Sequence, residues 1–171
     1  MSTGQPVRVG SYYFGDRELF LLDLESSDDM PEIIFPPSRH FACLLAWDAT
    51  RTSDDSILTL ARRLLGAGCV YVCCWGPDCE RVHDLVDRVD FELNPDAASI
   101  VMTTWHAERP LGETLWFLLN VVWPDPAFED TCGASIGIAI GSAQWATEIR
   151  TALSDPSAFS AKTLAAGEDP A

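Results

Sequence analysis

The chain has 171 residues, 26 of them acidic against 11 basic, giving a formal charge of −15 at pH 7. That surface repels phosphate backbones, and the basic residues, nearly all arginines scattered from Arg8 to Arg150, form no stripe able to release counterions, which excludes direct nucleic-acid binding. With 47 % hydrophobic and 22 % charged residues the chain can bury one full core, and no segment approaches the roughly 18 apolar residues a membrane helix needs.

Residues Val7 to Phe14 and Arg17 to Leu24 are two β-rich runs joined through Gly15-Asp16, which predicts an N-terminal hairpin over 7–24. Glu25 to Pro37 reads as an acidic connector, with one short extended piece at Ile33-Ile34-Phe35. From Phe41 short apolar runs alternate with helical stretches, the signature of four βα units over 41–153. The first is strand Phe41 to Trp47 and a helix from Asp54 to Leu65, capped by Thr52 or Ser53 and stopped by Gly66 and Gly68. The second is strand Cys69 to Trp75, apolar throughout as a strand covered on both faces must be, then a helix opened by Gly76-Pro77-Asp78 and running to about Val89.

The third unit is strand Ser99 to Trp105 and a helix from Leu111 or Gly112 to Val122. Leu111, Leu115, Leu118, Leu119 and Val122 make one apolar face of that helix, and Trp116, Asn120 and Trp123 make a second, which either the hairpin or another chain must cover. A homodimer through helix 111–122 is one reading of this pattern. The fourth unit is strand Ala134 to Ile140 and helix Ala143 to Leu153; beyond it, residues 154–171 lack periodicity and read as a flexible tail. The whole predicts one α/β domain over 1–153: a three-layer sandwich with a mainly parallel sheet, flavodoxin-like or Rossmann-like, plus the hairpin. In such sheets ligands bind beyond the carboxyl ends of the strands, here Asp48, Trp75 to Cys79, Trp105 to Glu108 and Gly141-Ser142.

The densest polar cluster is Cys79, His83, Asp84 and Asp87 on the second helix, with His106 and Glu108 arriving from the next strand end. Cys79, His83 and Asp87 lie four apart and share a helical face. Cys79, His83 and His106 would supply three zinc ligands, although no paired Cys-x-x-Cys signature accompanies them. Alternatively Cys79, at a helix start, is a nucleophile with His83 or His106 as base and Asp84 as orienting group, against which Asp78, Glu80 and Asp84 act by disfavouring a thiolate. The blander reading is a histidine satisfied by Asp84 or Asp87 within a buried polar knot. The six cysteines fall mostly inside apolar runs and read as reduced core thiols.

The strings Trp75-Gly76-Pro77-Asp78-Cys79, His83-Asp84-Leu85-Val86-Asp87 and Thr103-Thr104-Trp105-His106, with Gly68-Cys69 before them, resemble a domain family of unknown function from small bacterial proteins. The resemblance covers about residues 41 to 123 and departs at Val82, where a second tryptophan is expected. It implies that Asp78, Cys79, His83, Asp84, Asp87, Trp105 and His106 belong to one shared site or knot, and it carries no activity.

Two function classes follow. The first is a protein-binding module, such as an immunity or antitoxin-type inhibitor of a basic partner, with Trp75, Asp78, Asp87, Trp105, Glu108 and Trp116 as recognition residues. The second is a small-substrate enzyme, hydrolase-like, using the Cys79, His83, Asp84 and His106 cluster. A surface at −15 also serves solubility alone. Met1 to Val9 lacks an apolar signal core, so a cytoplasmic protein is expected.

Overall fold

A computed structural model describes residues 4–12, 14–32, 38–96 and 98–167; the extended piece expected at 33–35 lies outside them. Strands β1 (Val7–Tyr12) and β2 (Arg17–Leu24) form the hairpin, with Gly15 and Asp16 at φ +72° and +49°, consecutive left-handed positions that close a tight turn. Then come β3 (His40–Trp47), α1 (Asp54–Gly66), β4 (Cys69–Trp75), α2 (Cys79–Leu93), β5 (Met102–His106), α3 (Leu111–Asn120), β6 (Cys132–Ile140), α4 (Ala143–Ser154) and α5 (Pro156–Gly167). The sheet order is β1-β2-β6-β3-β4-β5, and every pair is parallel except β1 with β2.

Local chemistry explains the element ends. Ser53 caps α1 by accepting from the Ser56 N–H, while Asp54 and Asp55 sit in the first turn where the helix dipole favours acids. Gly76, at φ +111°, turns the chain out of β4 so close to β3 that a Cβ there would stand 2.4 Å from the Trp47 carbonyl oxygen. The N-cap of α2, Asp78, is itself left-handed and offers no side-chain cap; its carboxylate pairs with Arg81 instead.

Strand alternation splits the core in two. On one face Phe41, Leu45, Leu22, Ile136 and Ile138 pack under α1 and α2; on the other Leu21, Leu44, Ala46 and Cys73 pack under α3 and α4. All six cysteines are buried in these layers. The chain steps outward from β3 to β4 to β5 with α1 and α2 on one face, then returns past both strands to β6 with α3 on the other, as right-handed crossovers require. The direction of travel therefore reverses between β3 and β6.

One expectation changes. Residues 156–167 are not a tail but α5, which lies on α3 and β1 with Pro156 and Ser160 buried. The second face of α3 is covered in part from within the chain: Tyr12 donates to Asn120 Oδ1 at 2.9 Å, and Asn120 Nδ2 donates to Ser160 Oγ at 3.0 Å, while Trp123 stays 46 % exposed. Trp123 lies against Phe14, centroids 6.1 Å apart, and beneath the Arg17 guanidinium.

Candidate functional site

β5 is only five residues long and ends the sheet. Its alternation decides where the polar cluster goes. Thr103 and Trp105 turn toward α2: the Thr103 hydroxyl donates to Asp87, and the Trp105 indole packs on His83 with centroids 4.6 Å apart and the rings inclined at 60°. His106 turns the other way, bonding the Thr104 hydroxyl at 3.0 Å and packing on Phe117 of α3 at 4.8 Å. The histidines thus occupy opposite faces of the sheet, and the structure does not bring Cys79, His83 and His106 together as one ligand set. Among the described residues no group of three or more His, Cys, Asp or Glu side chains is arranged to hold a metal ion.

Cys79 is 2 % exposed, packed with Val82 and Val86. Burial pushes its thiol above the ordinary value, and Glu80 and Asp78 push the same way, outweighing backbone amides that favour the thiolate. This is the reverse of what a nucleophile requires. His83 is bracketed by Asp84, 3.0 Å from Nδ1, and Asp87, 3.5 Å from Nε2. Burial, and secondarily the Arg109 guanidinium, hold His106 below the usual imidazole value.

The remaining sequence candidates scatter around the ends of β4 and β5. The Trp75 indole donates to the Arg109 carbonyl at 2.7 Å and meets Trp145 edge-on. Asp78 stands at the N-cap position of α2 with its carboxylate on Arg81; Glu108 is exposed at φ +57° in the β5–α3 loop. Trp116 is half-buried, its Nε1 without a hydrogen-bond partner among the described residues. Two candidates do converge: His106 and Trp116, with Phe117, Arg109 and Glu113, line a hollow of about 500 Å³ on the α3 side of β5, with Trp105 at its border. On the α2 side, His83 and Asp87 join Asp90, Phe91, Ile100 and Thr103 around a second hollow of about 490 Å³.

Between the two hollows runs the outer edge of β5, which pairs with no strand among the described residues. Large apolar groups flank it: Trp105 is 49 % exposed, Ile100 55 % and Phe91 71 %. Phe91, Asp90 and Ile100 escape sequence reasoning because nothing local in a sequence says which strand ends a sheet. Arg81 also escapes it; its guanidinium binds Asp54, Asp78 and the carbonyls of Ala49 and Thr52, tying the β3–α1 loop to the start of α2.

Residues 19–156 match the model of a domain of unknown function (DUF7684), a span that runs from β2 through α4. No curated protein matches the chain. No solved structure matches it either.

Proposed function

We propose that the chain, which belongs to the DUF7684 family, is a protein-binding module that takes an extended, basic segment of another protein as an added strand on β5. One observation carries this reading: the unpaired edge of β5 has a hollow on each face. An added strand would satisfy the free backbone N–H and C=O groups of Met102–His106, and its side chains, alternating in direction, would drop by turns into the two hollows.

The hollows differ in chemistry, which gives the partner a pattern. Toward α2, the exposed carboxylates Asp84 and Asp87, with Asp90, favour lysine or arginine. Toward α3, Phe117 and Trp116 favour an apolar or aromatic side chain. The charge of −15 steers such a partner from a distance. An inhibitor of the immunity or antitoxin type, acting on a basic enzyme, fits this chemistry. Helices on both faces of parallel strands support a flavodoxin-like or Rossmann-like reading of the fold. The hydrolase-like reading draws no support from histidines on opposite faces and a buried Cys79.

The test uses two sets of short peptides, one alternating arginine with aromatic residues, the other alternating glutamate with the same aromatics. Hydrogen exchange of the intact chain is expected to show protection of 102–106 by the basic set alone, with association slowing as salt rises. Equal binding of the acidic set, or no protection at 102–106 with either, overturns the proposal.

A further inference from the structure

We infer that the crevice between the carboxyl ends of β3 and β6 binds a small, neutral, polyhydroxylated molecule, a sugar or a nucleoside. This site is separate from the β5 edge and does not depend on it. Its position comes from topology. The chain reverses its direction of travel between β3 and β6, so α1 and α4 leave the sheet on opposite faces and the loops after Trp47 and Ile140 part. Open α/β sheets bind ligands at that point because the diverging loops leave a cleft no side chain fills.

Here the cleft holds about 430 Å³, within the range that encloses small ligands. It is lined by Trp47, Ile140 and Trp145, the first two buried, and by Ser27, Thr52 and Ser142, the last of which caps α4 by accepting from the Trp145 N–H. The N–H of Gly141, donating to the Leu24 carbonyl at 2.8 Å, fixes the end of β6 against β2.

The polar groups choose the ligand. Asp48 Oδ1 is taken by the Thr50 N–H at 3.1 Å and the Thr50 hydroxyl at 2.6 Å, which pins the carboxylate while its second oxygen keeps no partner among the described residues. Those bonds hold its carboxyl below the usual range, so it is an acceptor at any neutral pH. Glu25, across the cleft, likewise makes no hydrogen bond or ion pair among the described residues. A pinned acceptor at Asp48 and an unengaged one at Glu25, beside the hydroxyl-bearing Ser27, Thr52 and Ser142, suit a molecule rich in O–H donors, and the part-exposed Trp145 indole suits a ring. Two carboxylates against the single guanidinium of Arg51 leave the cleft negative, which disfavours phosphates and carboxylates. A free cation is opposed by Arg51 together with the N-terminus of α4, whose N-cap Ser142 lines the cleft.

The probes are adenosine, guanosine, glucose and galactose, presented to the intact chain and followed by saturation-transfer NMR and tryptophan fluorescence, with adenosine 5′-monophosphate as the anionic control. At least one probe is expected to bind, the nucleosides and sugars separating the two sources. Asp48→Asn, which keeps the acceptor for Thr50, and Glu25→Gln, which touches nothing in the fold, are each expected to weaken binding about tenfold. Silence from all four probes, binding untouched by Glu25→Gln, or the monophosphate binding as tightly as adenosine overturns the inference. Because Glu25→Gln costs the fold nothing, the result stands even if Asp48→Asn fails to fold.

Discussion

The imidazole of His83 and the indole of Trp105 meet at a tilt, centroids 4.6 Å apart, and this contact joins α2 to the edge strand β5. With His83 also bracketed by Asp84 and Asp87, the pair acts as a clasp along the edge of β5. Histidine-to-alanine and tryptophan-to-alanine changes at His83 and Trp105 should each lower stability, and their double-mutant cycle in urea should give a coupling of about 0.5–1.5 kcal/mol. Strict additivity would mean that the rings touch without stabilising the strand.

Gly137 lies in the middle of β6 under α4, where an added Cβ would stand 2.3 Å from Ile149 Cγ2. The contact joins a central strand to a buried, β-branched side chain, which leaves little room to yield. Gly137→Ala is expected to cost about 1–3 kcal/mol by overpacking, and less in an Ile149→Ala background, where the methyl it meets is gone. Equal costs in the two backgrounds, measured from urea midpoints, would place the strain elsewhere.

His106 and His40 both have native values depressed below 6.5 by burial, with Arg109 acting on the first and Arg39 on the second. As pH falls through 6.5 the unfolded chain takes up these protons before the native one does. The stability each neutral ring contributes is therefore present above 6.5 and lost as pH falls toward the native value. Urea midpoints should decline between neutrality and the carboxylate range, and His106→Phe should flatten that decline. A midpoint that rises on acidification through this window would reverse the sign argued here.

Helix α5 can be tested by ending the chain at Asp155. That removes Ser160 from Asn120 Nδ2 and uncovers the α3 face beside Trp116. A loss of about 1–3 kcal/mol is expected from one broken hydrogen bond and the exposed apolar area. An unchanged urea midpoint would mean that α5 rests on α3 without holding it.

Much of this architecture is legible in the sequence where one level of pattern suffices. The apolar runs of β3 and β4, the Ser53 cap and the Gly15-Asp16 turn each declare themselves within a few residues. α5 does not, since it docks through Pro156 and Ser160 and carries no periodic apolar stripe. Nor does the fate of the polar cluster. Trp105 and His106 are neighbours in sequence, so a strand must send them to opposite faces, but that separates His83 from His106 only once α2 and α3 are known to cover different faces. Likewise Asp48 and Gly141-Ser142 are recognisable as strand ends, while their adjacency depends on β6 entering between β2 and β3.

That entry also governs how the chain must assemble. Among the described strands β6 is the last in chain order and an interior one, and β2 and β3 share no other neighbour there. Until Cys132–Ile140 has left the ribosome, the N-terminal hairpin has no further strand to pair with, and the parallel trio β3-β4-β5 carries an open edge at each end. Before β6 emerges the sheet is thus two unjoined parts, exposed to pairing with other chains, and the insertion of that one strand covers the inner edges of β2 and β3 at once.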